Sequence, residues 1–186
     1  EDYISSITQS LYSGNYIDEF EYTKDLIDGA YENGKIITQV VADPSSSEAN
    51  AKAFVKAARK LYKKMTFPST SYNAYSLFSG AKGTIKTWTN ADRIALIIKS
   101  DAIADIDVDV LAAAFNMDKA SLMGRIVEVD SFKNPNIIGV ICDEAWLQIY
   151  DNLFRFDEFY NARVMAWNEY LHVHSTYAVS PFANSV

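Results

Sequence analysis

The chain has 186 residues, is 49% hydrophobic and 22% charged, and carries a formal net charge of −7. This excludes an intrinsically disordered chain, which pairs low hydrophobicity with high charge, and its acidity argues against a dedicated nucleic-acid binder or a protein made for anionic membranes. One cysteine, Cys142, permits neither an internal disulfide nor a cysteine-rich zinc cluster. A compact chain of this mass exposes roughly 9,000 Å² against about 30,000 Å² unfolded, enough burial for one domain or two closely joined lobes. The longest apolar runs, Ile94–Ile98 and Ile137–Cys142, are too short to cross a bilayer. Residue 1 is Glu, so the sequence is expected to be processed or cut from something longer.

Taken in order, residues 3–33 predict a helix. Ile4, Ile7 and Leu11 recur at helical spacing, as do Ile17, Phe20, Ile27 and Tyr31. Gly14-Asn15 predicts a kink or two abutting helices, and Asn33-Gly34 a C-terminal stop. Ile36–Ala42 is β-branched and reads as a buried strand ended by Asp43-Pro44. Ser45 and Glu48 have capping-box spacing for a second helix reaching about Met65. Its apolar face is Phe54, Ala58, Leu61 and Met65, and its basic stripe is Lys52, Lys56, Arg59 and Lys63.

Residues 66–92 read as loops with one short strand near Thr84–Trp88. Arg93–Lys99 is a buried strand. Asp107 predicts a cap for a helix over Val108–Phe115, and Asp118 for another ending at Gly124. Arg125–Asp130 and Ile137–Cys142 are further strands. Phe154–Tyr160 and Val164–Tyr177 are aromatic-rich and read mostly as strand, and Ser180–Val186 as an extended tail. The class is α+β, or mixed α/β, without a regular βαβ series.

No catalytic signature emerges. There is no nucleophile elbow. Gly80-Ala81-Lys82-Gly83-Thr84 has the wrong spacing for a phosphate loop. Asp105, Asp107 and Asp109 fail the calcium-loop pattern, because Val110 and Asn116 stand where Gly and Glu are needed. An Asp-x-Asp metal pair is the alternative, against the ordinary role of acids at a helix start. His172 and His174 would share a face of a strand, with Glu169 nearby; two imidazoles begin a metal site but do not complete one. Cys142 reads as a small buried hydrophobe rather than an activated thiol, and Asp157-Glu158 as a solvated turn rather than a glycosidase pair. No catalytic, cofactor-binding or metal residue is therefore assigned, and no cofactor is expected.

Charge layout says more. Residues 1–34 hold eight acids and one base, Lys24. The second helix holds six bases (Lys52, Lys56, Arg59, Lys60, Lys63, Lys64) and no acid after Glu48. An acidic rod and a basic rod attract each other, within one subunit or between copies. The alternatives are two solvated faces or a nucleic-acid role for the basic helix. Twelve Tyr, ten Phe and three Trp suit protein interfaces and ordinary cores alike.

Several stretches resemble major capsid proteins of tailed bacteriophages. They are Asp107–Phe132 (DVDVLAAAFNMDKASLMGRIVEVDSF), Ile138–Trp146 (IGVICDEAW), Trp167–Asn184 (WNEYLHVHSTYAVSPFAN), Leu11–Phe20 (LYSGNYIDEF) and Met65–Pro68 (MTFP). The resemblance covers most of the chain as the C-terminal portion of such a subunit. It implies the shell fold named for phage Hong Kong 97, with a peripheral domain of long spine helix and β layer, and a compact α/β axial domain. Residues 1–35 would be the spine helix, 36–146 the axial domain, and 147–186 the strands returning to the peripheral domain and the tail. The family's N-terminal arm and extended loop are absent here, which implies a longer native subunit. The resemblance implies a non-enzymatic virion protein that forms pentamers and hexamers of an icosahedral head, assembled in the host bacterial cytoplasm. Scaffolding and portal proteins would be further partners, packaged DNA would meet it only weakly, and no membrane would be involved. The competing readings are an encapsulin-type nanocompartment shell and a small metal-dependent hydrolase or transferase.

Overall fold

The computed structural model describes residues 2–78, 80–104, 106 and 125–186. It opens with one uninterrupted helix, α1 (Asp2–Glu32). The expected kink at Gly14-Asn15 is absent, because a lone glycine lowers helix propensity without breaking the hydrogen-bond ladder. The helix stops as expected. Gly34 takes φ 61°, Lys35 N–H donates to Ala30 C=O at 2.7 Å and Gly34 N–H to Tyr31 C=O at 3.0 Å, a Schellman closure whose left-handed residue favours glycine.

The expected strand over Ile36–Ala42 does not form. Ile36 is buried, but the segment pairs with no strand and Val40 is 97% exposed. β-branched residues favour extended backbone, yet a strand needs a neighbour to pair with. Asp43 then caps a 3₁₀ turn, Pro44–Ser46, by accepting from Ser45 N–H at 3.0 Å. This moves the start of the second helix, α2 (Glu48–Met65). Ser47, not Ser45, is its N-cap, accepting from Asn50 N–H at 3.2 Å. Glu48 pairs instead with Lys52, one turn on. Phe54, Ala58, Leu61 and Met65 are buried and the six cations are exposed, as the spacing predicts.

A three-stranded sheet follows, with β1 (Ile94–Lys99) at its centre in the order β2-β1-β3. β2 (Ile126–Val129) runs parallel to β1, with Leu96 opposite Ile126. β3 (Gly139–Asp143) runs antiparallel, with Leu96 opposite Ile141 and Ile98 opposite Gly139. A Cβ on Gly139 would stand 2.6 Å from Ile97 O, so only glycine permits this approach. Both faces of β1 are covered, which explains its unbroken apolar run. Ile94, Leu96 and Ile98 pack with Phe54, Leu61 and Met65 of α2. Ile97 packs on the other side with Ile27 and Ala30 of α1, and with Val140 and Trp146. A short helix, α3 (Ser100–Ala104), leaves β1. The helices expected after Asp107 and Asp118 lie outside the described residues. The strand expected at Thr84–Trp88 is reduced to one bridge, Ser69 to Thr87.

The chain then makes one long hairpin, β4 (Leu147–Asn161) and β5 (Ala166–Val179), with a register shift between Asp151 and Leu153. The tail turns at Pro181-Phe182 before it extends. Ser185 bridges Cys142, and Ile141 and Val186 exchange backbone hydrogen bonds of 2.9 and 3.0 Å along the outer edge of β3. Asn184 is fully buried. Its amide donates to Thr89 Oγ1 at 3.0 Å and its carbonyl accepts from Thr87 Oγ1 at 2.6 Å.

Candidate assembly surfaces

The hairpin has two faces fixed by its register. Opposed residues share a side, so Ile149 and Tyr177, Phe154 and Val173, Phe156 and Leu171, and Tyr160 and Trp167 lie on one face. That face meets α1. Tyr12 stacks on Phe154 with ring centroids 5.9 Å apart, and Tyr22 meets Tyr177 at 5.6 Å. Thr8 Oγ1 lies 3.4 Å from Glu169 Oε2.

The other face carries Tyr150, Leu153, Arg155, Asp157, Phe159, Tyr170, His172 and His174. Phe159 stacks on Tyr170 at 5.5 Å, and Tyr170 on His172 at 6.1 Å. Tyr150, Leu153, Phe159 and Tyr170 all stand exposed. The far side of α1 is equally open. Ile17 and Phe20, which helped predict the helix, are exposed there, and Tyr16, one turn on from Tyr12, is exposed beside the hairpin contacts. The cover that α1 gives is partial, since Ile149, Phe154, Tyr160 and Trp167 on its side of the ribbon are exposed too, so apolar surface stays open on the helix and on both faces of the hairpin. Exposed apolar side chains gathered on one face suit contact with another molecule.

An ionic joint fixes α1 to the sheet. Lys24, the lone base of residues 1–34, is 6% exposed and reaches Asp130 at 2.7 Å and Glu21 at 2.9 Å. The Asp130 contact is the main reason that the Lys24 pKa lies above its usual value, with burial opposing and Glu21 adding. The same hydrogen bond, then one from Ser131 N–H, holds Asp130 below the usual carboxylate value. Asp28 is buried and accepts backbone N–H bonds from Lys133 at 2.8 Å and Asn134 at 3.2 Å. Lys133 pairs with Asp25, which raises the lysine's pKa. Sequence spacing alone does not reveal this joint, since its partners lie about a hundred residues apart; the single lysine among eight acids was the available signal.

The residues weighed for chemistry are scattered. Cys142 is buried in the sheet core, and burial, then the nearby Asp143 and Glu144 charges, push its thiol up to about 12. His172 and His174 do share the outer hairpin face, opposite Arg155 and Leu153. His172 Nε2 lies 3.8 Å from Asp157 Oδ2, and Asp157 also pairs with Arg155 at 2.7 Å. Glu169 points to the α1 side, away from both imidazoles. Among the described residues, no three of His, Cys, Asp and Glu gather as a metal site. The Gly80–Thr84 segment leads into no helix. Asp105, Asp107 and Asp109 lie outside the described residues. No helix among the described residues is long and apolar enough to cross a membrane.

Known proteins resemble this chain throughout its length. The major capsid protein of Bacillus phage PZA is 36% identical over 186 residues, and that of Bacillus phage B103 is 35% identical over 188. Each alignment takes in the whole chain but about 40% of the relative, so the chain spans less than half of the length of these curated relatives. In the capsid structure of Staphylococcus phage Andhra, a chain at 13% identity matches with a TM-score of 0.77, covering all of this chain and 62% of that one. The fold is thus one found in phage capsids. The sequence model of the Phi29-like phage major capsid protein matches residues 1–186, and the chain belongs to that family.

Proposed function

We propose that this chain forms the structural part of a major capsid subunit that self-assembles into the icosahedral head enclosing phage DNA. The observation that carries this reading is the helix–hairpin unit, which leaves aromatic surface open on both of its outer sides. In this reading α1 (within residues 1–35) is the spine helix. Residues 36–146, with α2 and the three-stranded sheet, are the axial domain. Residues 147–186 return as the β layer and tail of the peripheral domain. Copies of the chain are the main partners, in pentamers and hexamers, with scaffolding and portal proteins as further ones. The protein then resides in the virion after assembly in the host cytoplasm, and the reading includes no catalytic role. The relatives' names favour a phage head over a cellular nanocompartment. Many individually weak contacts become strong together by multivalency. Electron microscopy of the full-length subunit tests the reading. Closed icosahedral shells are expected; a discrete monomer at every concentration would overturn it.

A further inference from the structure

Six cations stand on α2, all exposed, and among the described residues only Lys52 has an ion-pair partner, Glu48 on the same helix. Lys56, Arg59, Lys60, Lys63 and Lys64 enter no ion pair among those residues. At about 100° per residue, Lys52, Lys56, Arg59 and Lys63 fall within an arc of about 60° and extend about 17 Å along the axis. On α1, Asp18, Glu21, Asp25 and Glu32 fall within an arc of the same width, about 60°, and extend about 21 Å. Lys24 and Lys133 answer Glu21 and Asp25. Asp18 and Glu32 have no such partner among the described residues. No ion pair there joins α1 to α2, so the two stripes do not compensate each other within one chain.

We propose that the basic face of α2 docks on the acidic face of α1 of a second copy of this chain. The proposal rests on the shell reading and specifies one contact within it. Complementary faces of this kind steer association and fix register. A second copy is favoured over duplex DNA by the balance around α1. Over residues 5–35 and 147–186, nine acids are at least partly exposed (Asp18, Glu19, Glu21, Asp25, Glu32, Asp151, Asp157, Glu158 and Glu169) against three bases (Lys35, Arg155 and Arg163), a surface that attracts lysines and repels phosphate.

The test uses the full-length subunit. Assembled shells made from mixed isotope-labelled and unlabelled copies are treated with a zero-length carbodiimide, which joins carboxylates to lysines in contact. Amide links from Lys56 or Lys63 of one copy to Asp18 or Glu32 of another are expected. The triple reversal Lys56→Glu, Arg59→Glu, Lys63→Glu is expected to raise the assembly threshold about tenfold or more. Adding Asp18→Lys and Glu32→Lys should restore it. Circular dichroism of each variant verifies folding, and the cross-linking needs no variant. Shells that form without these links overturn the proposal. So does a reversal that assembles normally, including one that merely loses retention of duplex DNA, and so does a charge swap that fails to rescue. Absence of any shell from the unaltered subunit sinks the shell reading instead.

Discussion

The central sheet and the β4–β5 hairpin are both built from apolar and aromatic strands, yet they end in opposite environments. In β1 four of six residues are buried, because α2 covers one face and the end of α1 the other. In β4 none of fifteen is. Strand composition therefore does not measure burial; the number of covering layers does. The sheet completes its core within one chain. The hairpin holds its shape by backbone pairing and cross-strand rings, and presents the remaining surface outward.

That contrast is open to mutation. The largest effect is expected inside the sheet core. Trp146 has no exposed surface, and Trp146→Ala should cost about 3–5 kcal/mol in denaturant unfolding. A loss below that range would mean that the core is less self-sufficient than its packing implies. Next comes the joint between the regions. Asp28→Ala leaves two backbone N–H groups without their acceptor and should cost about 1–3 kcal/mol.

The Lys24–Asp130 pair adds a pH signature. The depressed Asp130 pKa makes the pair's contribution present above the usual 3.8 and lost as pH falls through the lower folded value. The raised Lys24 pKa makes it present below 10.5 and lost as pH rises through the higher folded value. The Tm difference between the unaltered chain and Lys24→Met should therefore be level between those limits and shrink beyond them. A difference unchanged at acid pH would show that packing, not charge, holds the joint. The smallest stability effect is expected on the open hairpin face. Phe159→Ala removes one ring of a half-exposed cross-strand stack and should shift unfolding by no more than about 1 kcal/mol, while impairing assembly of the full-length subunit by light scattering. A large loss of chain stability would erase the contrast.

Elements whose signal is local were legible in the sequence. The apolar run at Ile94–Ile98, the face through Phe54, Ala58, Leu61 and Met65, and the Asn33-Gly34 stop each carry their cause within a few residues. Features that depend on a distant partner were not. Ile36–Ala42 has strand composition and no strand beside it, while residues 184–186 take the outer edge of β3. The N-cap moved from Ser45 to Ser47 because Asp43 engaged Ser45 first. Ile17 and Phe20 keep helical spacing and stay in solvent, since the hairpin lies on another side of α1. The basic stripe of α2 and the acidic excess of residues 1–34 were visible as charge patterns. That they find no answer in each other within the chain required the fold.

The position of Asn184 has a consequence for the order of folding. It bonds Thr87 and Thr89, and its backbone bridges Asn73. Ribosomes release a chain from its N-terminus, and domains close as units. Helices α1 and α2 emerge before the sheet and form local contacts quickly, but the edge of β3 stays unsealed until residues 184–186 arrive. Closing such a long loop slows folding. During that interval an apolar strand edge is available to any neighbouring chain, on a polysome that carries many identical copies. Synthesis is thus a stage at which the open edge of β3 can pair with the wrong copy.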